Sequence, residues 1–141
     1  MRVLAFAPAM GVTADDGGGV SANGFAMTSG FVSELPTVIT ISMILAVCAL
    51  SGDDYDPVQH IVATSPTGER AGAVEFNWHW DDNPETPVKF RVFAHDLRLQ
   101  ITMTGIYTIG LYDSPDATWT DIEFPLPIYT YDPLTQGPGH F

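Results

Sequence analysis

The chain has 141 residues, 45% of them hydrophobic and only 16% charged, which excludes a disordered composition and suffices for one domain whose core needs no metal or disulfide staple. Five basic residues stand against 17 acidic ones, and the resulting formal charge of −12 repels phosphate backbones and anionic membrane surfaces alike. Cys48 is the only cysteine, so no intramolecular disulfide is available.

The opening "MRVLAFAPAM" mimics a secretion signal, but its apolar run, Val3 to Ala7, is too short for the core of one. It is expected to form a first strand, and the chain to be synthesised in the cytoplasm without secretion by a signal peptide, to reside there or in a virion made there. "DDGGG" follows as a turn. Aspartate outnumbers glutamate twelve to five and sits mostly beside Gly and Pro, as turn residues do. The apolar run Val38 to Leu50 is well short of the roughly 20 residues that a membrane-spanning helix needs. Ile39, Ile41, Met43, Leu45 and Val47 alternate with the smaller Thr40, Ser42, Ala46 and Cys48, with Ile44 as the exception. Alternation at period two predicts a core strand. Its second face is too apolar for open solvent and too small-chained for a main core, so a cover is expected, from this chain or from a neighbouring subunit.

Later segments repeat this grammar. "VQHIVAT" is joined by the turn "SPTGER" to "AGAVEF", and "VEFNWHW" sets Val74, Phe76, Trp78 and Trp80 against Glu75, Asn77 and His79. "VKFRVFA" sets Val88, Phe90 and Val92 against Lys89 and Arg91. The polar loop "DDNPETP" between these two predicts a hairpin, with Arg91 near Asn77 and Lys89 near His79. "GIYTIGLYD" and "ATWTDIEF" follow. Seven or eight strands at about 8–15-residue spacing predict a single antiparallel β-sandwich, Ig-like, over residues 1–125.

Residues 126–141 are expected to leave the sandwich as an extended arm, because Pro125, Pro127, Pro133 and Pro138 are unsuited to the middle of a sheet. The arm carries Leu126, Ile128, Tyr129, Tyr131 and Phe141, too much apolar surface for a solubilising tail. Trp119 alternates with Asp121 and Glu123, a large aromatic on an acidic face. These six residues are the expected contacts to a protein partner.

Chemistry-bearing motifs are weak. Asp53, Asp54 and Asp56 are the best candidates for a calcium loop, but EF-hand spacing is missing, and solvated turns are the simpler reading. His60, His79, His95 and His140 contain no local pair at zinc spacing. There is no Gly-x-Ser-x-Gly elbow, and Cys48 lies in the most apolar run of the chain, where a thiol behaves as a small hydrophobe. No cofactor and no catalytic residue is predicted, and the chain is not expected to be an enzyme.

The succession of "GGGVSANGFAMTSGFVSELP", the long apolar strand, "SPTGE" and "HDLRLQITMTGIYTIGLYDS" resembles an uncharacterised β-sandwich family of bacteria and their tailed phages, a domain of unknown function. The resemblance covers most of residues 1–125 and rests on the Pro66 to Glu69 hairpin and the Gly105, Tyr107 strand opening. It implies a fold and no activity, so no site residue is carried over from it. Together with the residue reading, it leads to the expectation of a non-enzymatic structural protein that oligomerises or docks into a larger assembly, such as a capsid-decoration or tail-associated virion protein. The alternative expectation is a soluble bacterial module that binds calcium or a small ligand.

Overall fold

A computed structural model describes residues 1–16, 19–50, 57–80 and 85–131. Through these run the strands β1 (Arg2–Ala9), β2 (Gly11–Ala14), β3 (Val20–Asn23), β4 (Gly30–Val32), β5 (Thr37–Leu50), β6 (Val58–Thr64), β7 (Arg70–Asn77), β8 (Val88–Ile101), β9 (Gly105–Tyr112) and β10 (Glu123–Thr130). They form a three-stranded sheet in the order β1-β5-β8, a five-stranded sheet in the order β4-β10-β9-β6-β7 and a small ribbon, β2-β3. The two larger sheets enclose one core between them, an all-β sandwich in agreement with the period-two patterns. The described strands outnumber the seven or eight expected because the Gly-rich stretch after β1 contributes three short ones. One pair, β4 with β10, is parallel, so the sandwich is not purely antiparallel.

β5 behaves as its alternation predicts. Ile41, Met43, Leu45 and Val47 point into the core and are buried, facing Ile61, Tyr107, Ile109, Leu126 and Ile128 of the opposite sheet. β5 pairs with β8 over its entire length, from Thr37 opposite Ile101 to Leu50 opposite Val88. That unbroken register corrects two expectations.

First, the segments on either side of "DDNPETP" are not a hairpin. β7 pairs with β6 in the five-stranded sheet, while β8 pairs with β5, so the chain crosses between sheets there. In the ladders Arg91 is paired with Val47 and Asn77 with Val58, and the Nη2 of Arg91 donates to the carbonyl of His79 at 3.1 Å. Lys89 lies over the Trp80 ring, 5.5 Å from its centroid.

Second, the faces at the start of β8 are reversed. Leu97, Leu99 and Ile101 fix the inward phase, and an unkinked strand carries it back to His95, Phe93, Arg91 and Lys89. Lys89 is therefore buried and Phe90 is 64% exposed, the opposite of the local alternation reading.

The last described strand is the third correction. Residues 126–130 do not leave the sandwich: β10 runs through the 125/126 boundary and pairs with β9 from Glu123 to Ile128. Leu126 and Ile128 are fully buried, so neither is available to a partner. The prolines are tolerated because Pro125 and Pro127 lose N–H groups on the same side of the strand, at period two. On that side β4 begins only opposite Ile128.

Two details close the fold. The fully buried Tyr107 keeps its hydroxyl satisfied by donating to the Met103 carbonyl at 3.0 Å and accepting from the Thr102 N–H at 3.2 Å, which pins the β8–β9 turn. At Gly72, β7 approaches the backbone of β8 so closely that a Cβ would run into the Arg98 carbonyl oxygen.

Leu126→Ala is expected to lower unfolding free energy by about 2–5 kcal/mol in urea titrations, as for any large-to-small change in a packed core. A loss below about 1 kcal/mol would return Leu126 to a surface role. Gly72→Ala is expected to cost about 1–3 kcal/mol through overpacking, measured the same way.

Candidate interaction face

Because β1, β5 and β8 pair in register, the side chains that share each rung on the side away from the core can be read along the sheet. From the end where β5 finishes, the rungs are Leu50 with Val88; Arg2, Cys48 and Phe90; Ala5, Ala46 and Val92; and Ala7, Ile44 and Ala94. Beyond them lie Ala9, Ser42 and Asp96, then Thr40 with Arg98 and Val38 with Gln100. The face thus has two halves. The second is polar, and Ser42 Oγ donates to Asp96 Oδ1 at 3.1 Å across it. The first is apolar from edge to edge and, among the described residues on its rungs, carries one charge, Arg2.

Part of this face has a cover. The β2-β3 ribbon lies against β5 and β8. Ala7, Ala9 and Ile44 are buried although the pleat turns them away from the core. The cover ends there: Leu50 is 66% exposed, Phe90 64%, and Leu4, at the bulge between Val3 and Ala5, 46%. Ala5, Ala46, Cys48, Val88 and Val92 between them are half-buried. Single exposed apolar side chains are ordinary, but a contiguous apolar patch whose rungs carry no carboxylate, on a chain with a net charge of −12, is not.

The residues expected to be partner contacts are scattered. Trp119 is 76% exposed in the connection between β9 and β10. It is presented by an anchored segment, because the Thr120 hydroxyl donates to the Leu111 carbonyl and accepts from the Ile122 N–H. Tyr129 is half exposed and, with Tyr131, flanks Phe31 at ring-centroid distances of 5.5 and 6.4 Å, forming an aromatic cluster on the β4–β10 edge. Leu126 and Ile128 are core. Phe141 lies outside the described residues, as do Asp53, Asp54 and Asp56. Among the described residues there is no group of three or more His, Cys, Asp or Glu placed to hold a metal. No helix of the described chain is long and apolar enough to cross a membrane. The patch formed by Leu4, Leu50 and Phe90 escaped sequence reading, since Phe90 reads locally as core. The signal that finds it is the phase of Leu97, Leu99 and Ile101 carried back along one strand.

On the inner side of the same strand, His95 packs 4.2 Å from Phe76 and 5.7 Å from Phe93, ring centroid to ring centroid, beside Trp78. Its Nε2 and the indole nitrogens of Trp78 and Trp80 are buried with no hydrogen-bond partner among the described residues. Burial holds the His95 imidazole below its ordinary pKa of 6.5, opposed in part by the neighbouring Asp96 carboxylate. Two residue sets, one inward and one outward, thus emerge from one strand: an interior rich in aromatic rings, with Lys89 over Trp80, and an apolar exterior.

Compared with protein-family models, curated proteins and solved structures, the chain matches none.

The sign of the His95 effect follows from linkage. The unfolded chain takes up a proton near pH 6.5 while the folded chain does so only at lower pH, so stability falls as pH drops below 6.5 and levels off under the folded value. Denaturant titrations between pH 7 and 5 are expected to show this loss in the natural chain. A His95→Phe variant is expected to lose less stability over that interval; equal slopes would remove His95 from the account.

Proposed function

We propose that the chain is a non-enzymatic structural subunit that docks into a larger protein assembly through the outer face of its three-stranded sheet. One observation carries this reading: Leu50, Phe90 and Leu4 stand exposed on an apolar, almost uncharged face of an otherwise strongly acidic protein. Full burial of a side chain such as Leu or Phe contributes roughly 1.5–3 kcal/mol. Partner-free exposure of several on one sheet therefore has a cost in solubility that docking removes. Trp119, in the β9–β10 connection, and the Tyr129, Tyr131 and Phe31 cluster, on the β4–β10 edge, suit secondary contacts within such an assembly. The concrete form, in keeping with the resemblance to a family found in tailed phages, is a virion accessory protein. A subunit of charge −12 fits an outer position, away from packaged nucleic acid.

The test is velocity sedimentation of the tagged chain in an extract of the cells that produce it, against a Leu50→Asp, Phe90→Asp double variant. The natural chain is expected to travel with a larger complex and the variant as a free subunit. Both positions are exposed, so the variant's unfolding free energy should change by no more than about 1 kcal/mol. Natural and variant chains sedimenting identically would end this proposal.

A further inference from the structure

We infer that the seam where β7 meets β8 holds a binding site for a compact dianion, a dicarboxylate or a phosphate, gripped between Arg70 and Arg98. The site borders the polar half of the three-stranded sheet and is independent of the docking face proposed above.

The chain has five basic side chains against 17 acidic ones. Lys89 lies over the Trp80 ring, Arg91 donates to the His79 carbonyl, and Arg2 shares a rung with Cys48 at the far end of the sheet. The other two, Arg70 and Arg98, line a single groove of about 350 Å³ together with Gln100, Val38, Ala71 and Gly72. Neither makes an ion pair or a side-chain hydrogen bond among the described residues. Carboxylates are plentiful in this chain, yet none of the described ones is placed to neutralise these two guanidiniums.

The tertiary fold builds the groove. Arg98 and Gln100 project from the outer face of β8, opposite Thr40 and Val38 of β5, whereas Arg70 opens β7 in the other sheet. The two strand edges come together because residue 72 is a glycine: a Cβ there would run into the Arg98 carbonyl oxygen. That contact also orients the edge of β8. Main-chain groups alternate along a strand, so the Arg98 carbonyl on the β7 side puts the N–H of Gln100 on that side as well. β8 is the last strand of its sheet, and this N–H has no ladder partner. Two guanidiniums, a side-chain amide and a main-chain donor thus border one groove, all of them on strands.

The donors set the class of ligand. A guanidinium presents paired N–H groups that match the oxygens of a carboxylate or a phosphate. Two of them across one groove suit two negative charges held close together. Val38 and Ala71 supply an apolar wall for the hydrocarbon part of such a ligand. A long polyanion is disfavoured, because its remaining charges would meet the field of a chain with net charge −12. A compact one is screened from carboxylates more than about 8 Å away at physiological salt. Two carboxylates adjoin the site in the chain: Asp96, which accepts from the Ser42 hydroxyl, and Glu69, in the turn before Arg70. Exposed ion pairs are individually weak, so a dissociation constant on the order of 1 mM is expected.

The test is an NMR titration of the isotope-labelled full-length chain, followed through its amide and arginine Nε–H resonances. Succinate and inorganic phosphate are added in separate arms, with sodium chloride at matched ionic strength as the reference. Saturable shifts are expected at Gly72, Gln100 and the Nε–H groups of Arg70 and Arg98. Saturation by succinate alone would identify a dicarboxylate site, and saturation by phosphate alone a phosphate site. Arg70→Gln and Arg98→Gln are each expected to weaken binding about fivefold. Arg2→Gln removes the same charge at the far end of the sheet and should leave the affinity within about twofold. Shifts that grow without saturating and match those in sodium chloride would overturn the inference. So would saturable binding that survives the Arg70→Gln, Arg98→Gln double substitution, since the anion would then sit elsewhere.

Discussion

The ladder between β5 and β8 is the constraint on which the rest of the molecule depends. Both strands are 14 residues long and they pair rung for rung, without a bulge. In an uninterrupted pair the side-chain period is fixed, so the phase chosen at one end is imposed on the other. At the Ile101 end the choice is forced, because Leu97, Leu99 and Ile101 fill the space opposite Ile61, Tyr107 and Ile109. At the Val88 end the strand has to accept what that choice delivers.

What it delivers is a conflict between local preference and global register, and the conflict is resolved in favour of register. Lys89 goes inside, where it lies over the Trp80 ring, and Phe90 goes outside. Slipping β8 by one residue would reverse these two but would expose Leu97, Leu99 and Ile101, three fully buried aliphatic side chains, to water. At roughly 1.5–3 kcal/mol for each such side chain, the register wins. The exposed apolar face is thus a direct consequence of how the core is packed. It is not a chance surface feature, which is why it carries the functional proposal.

The C-terminal strand shows a second balance of the same kind. Proline usually disqualifies a segment from a sheet interior because it removes a donor. In β10 the two prolines are spaced so that both missing donors point to one side, and β4 is so short that it pairs only beyond them. Leu126 and Ile128, between and after the prolines, are then free to fill the core. Residues 126–130, which read as the start of an arm reaching for a partner, instead complete the five-stranded sheet, and among the described residues the expected contacts left outside it are Tyr129, Tyr131 and Trp119.

The sequence alone determined the all-β class, the inward face of β5, the core positions of Trp78 and Trp80 and the exposure of Trp119. Each of these depends on a period of two within a few residues, or on one large side chain among charged ones. The tertiary structure alone decided which sheet each strand joins, which way β8 faces at its start, and that β10 is an inner strand. Those outcomes depend on partners far apart in the chain: Val88 opposite Leu50, Pro125 opposite Thr108, Gly30 opposite Ile128. Local alternation is blind to such pairing, because a strand's two faces look alike until a partner's packing fixes which one is buried.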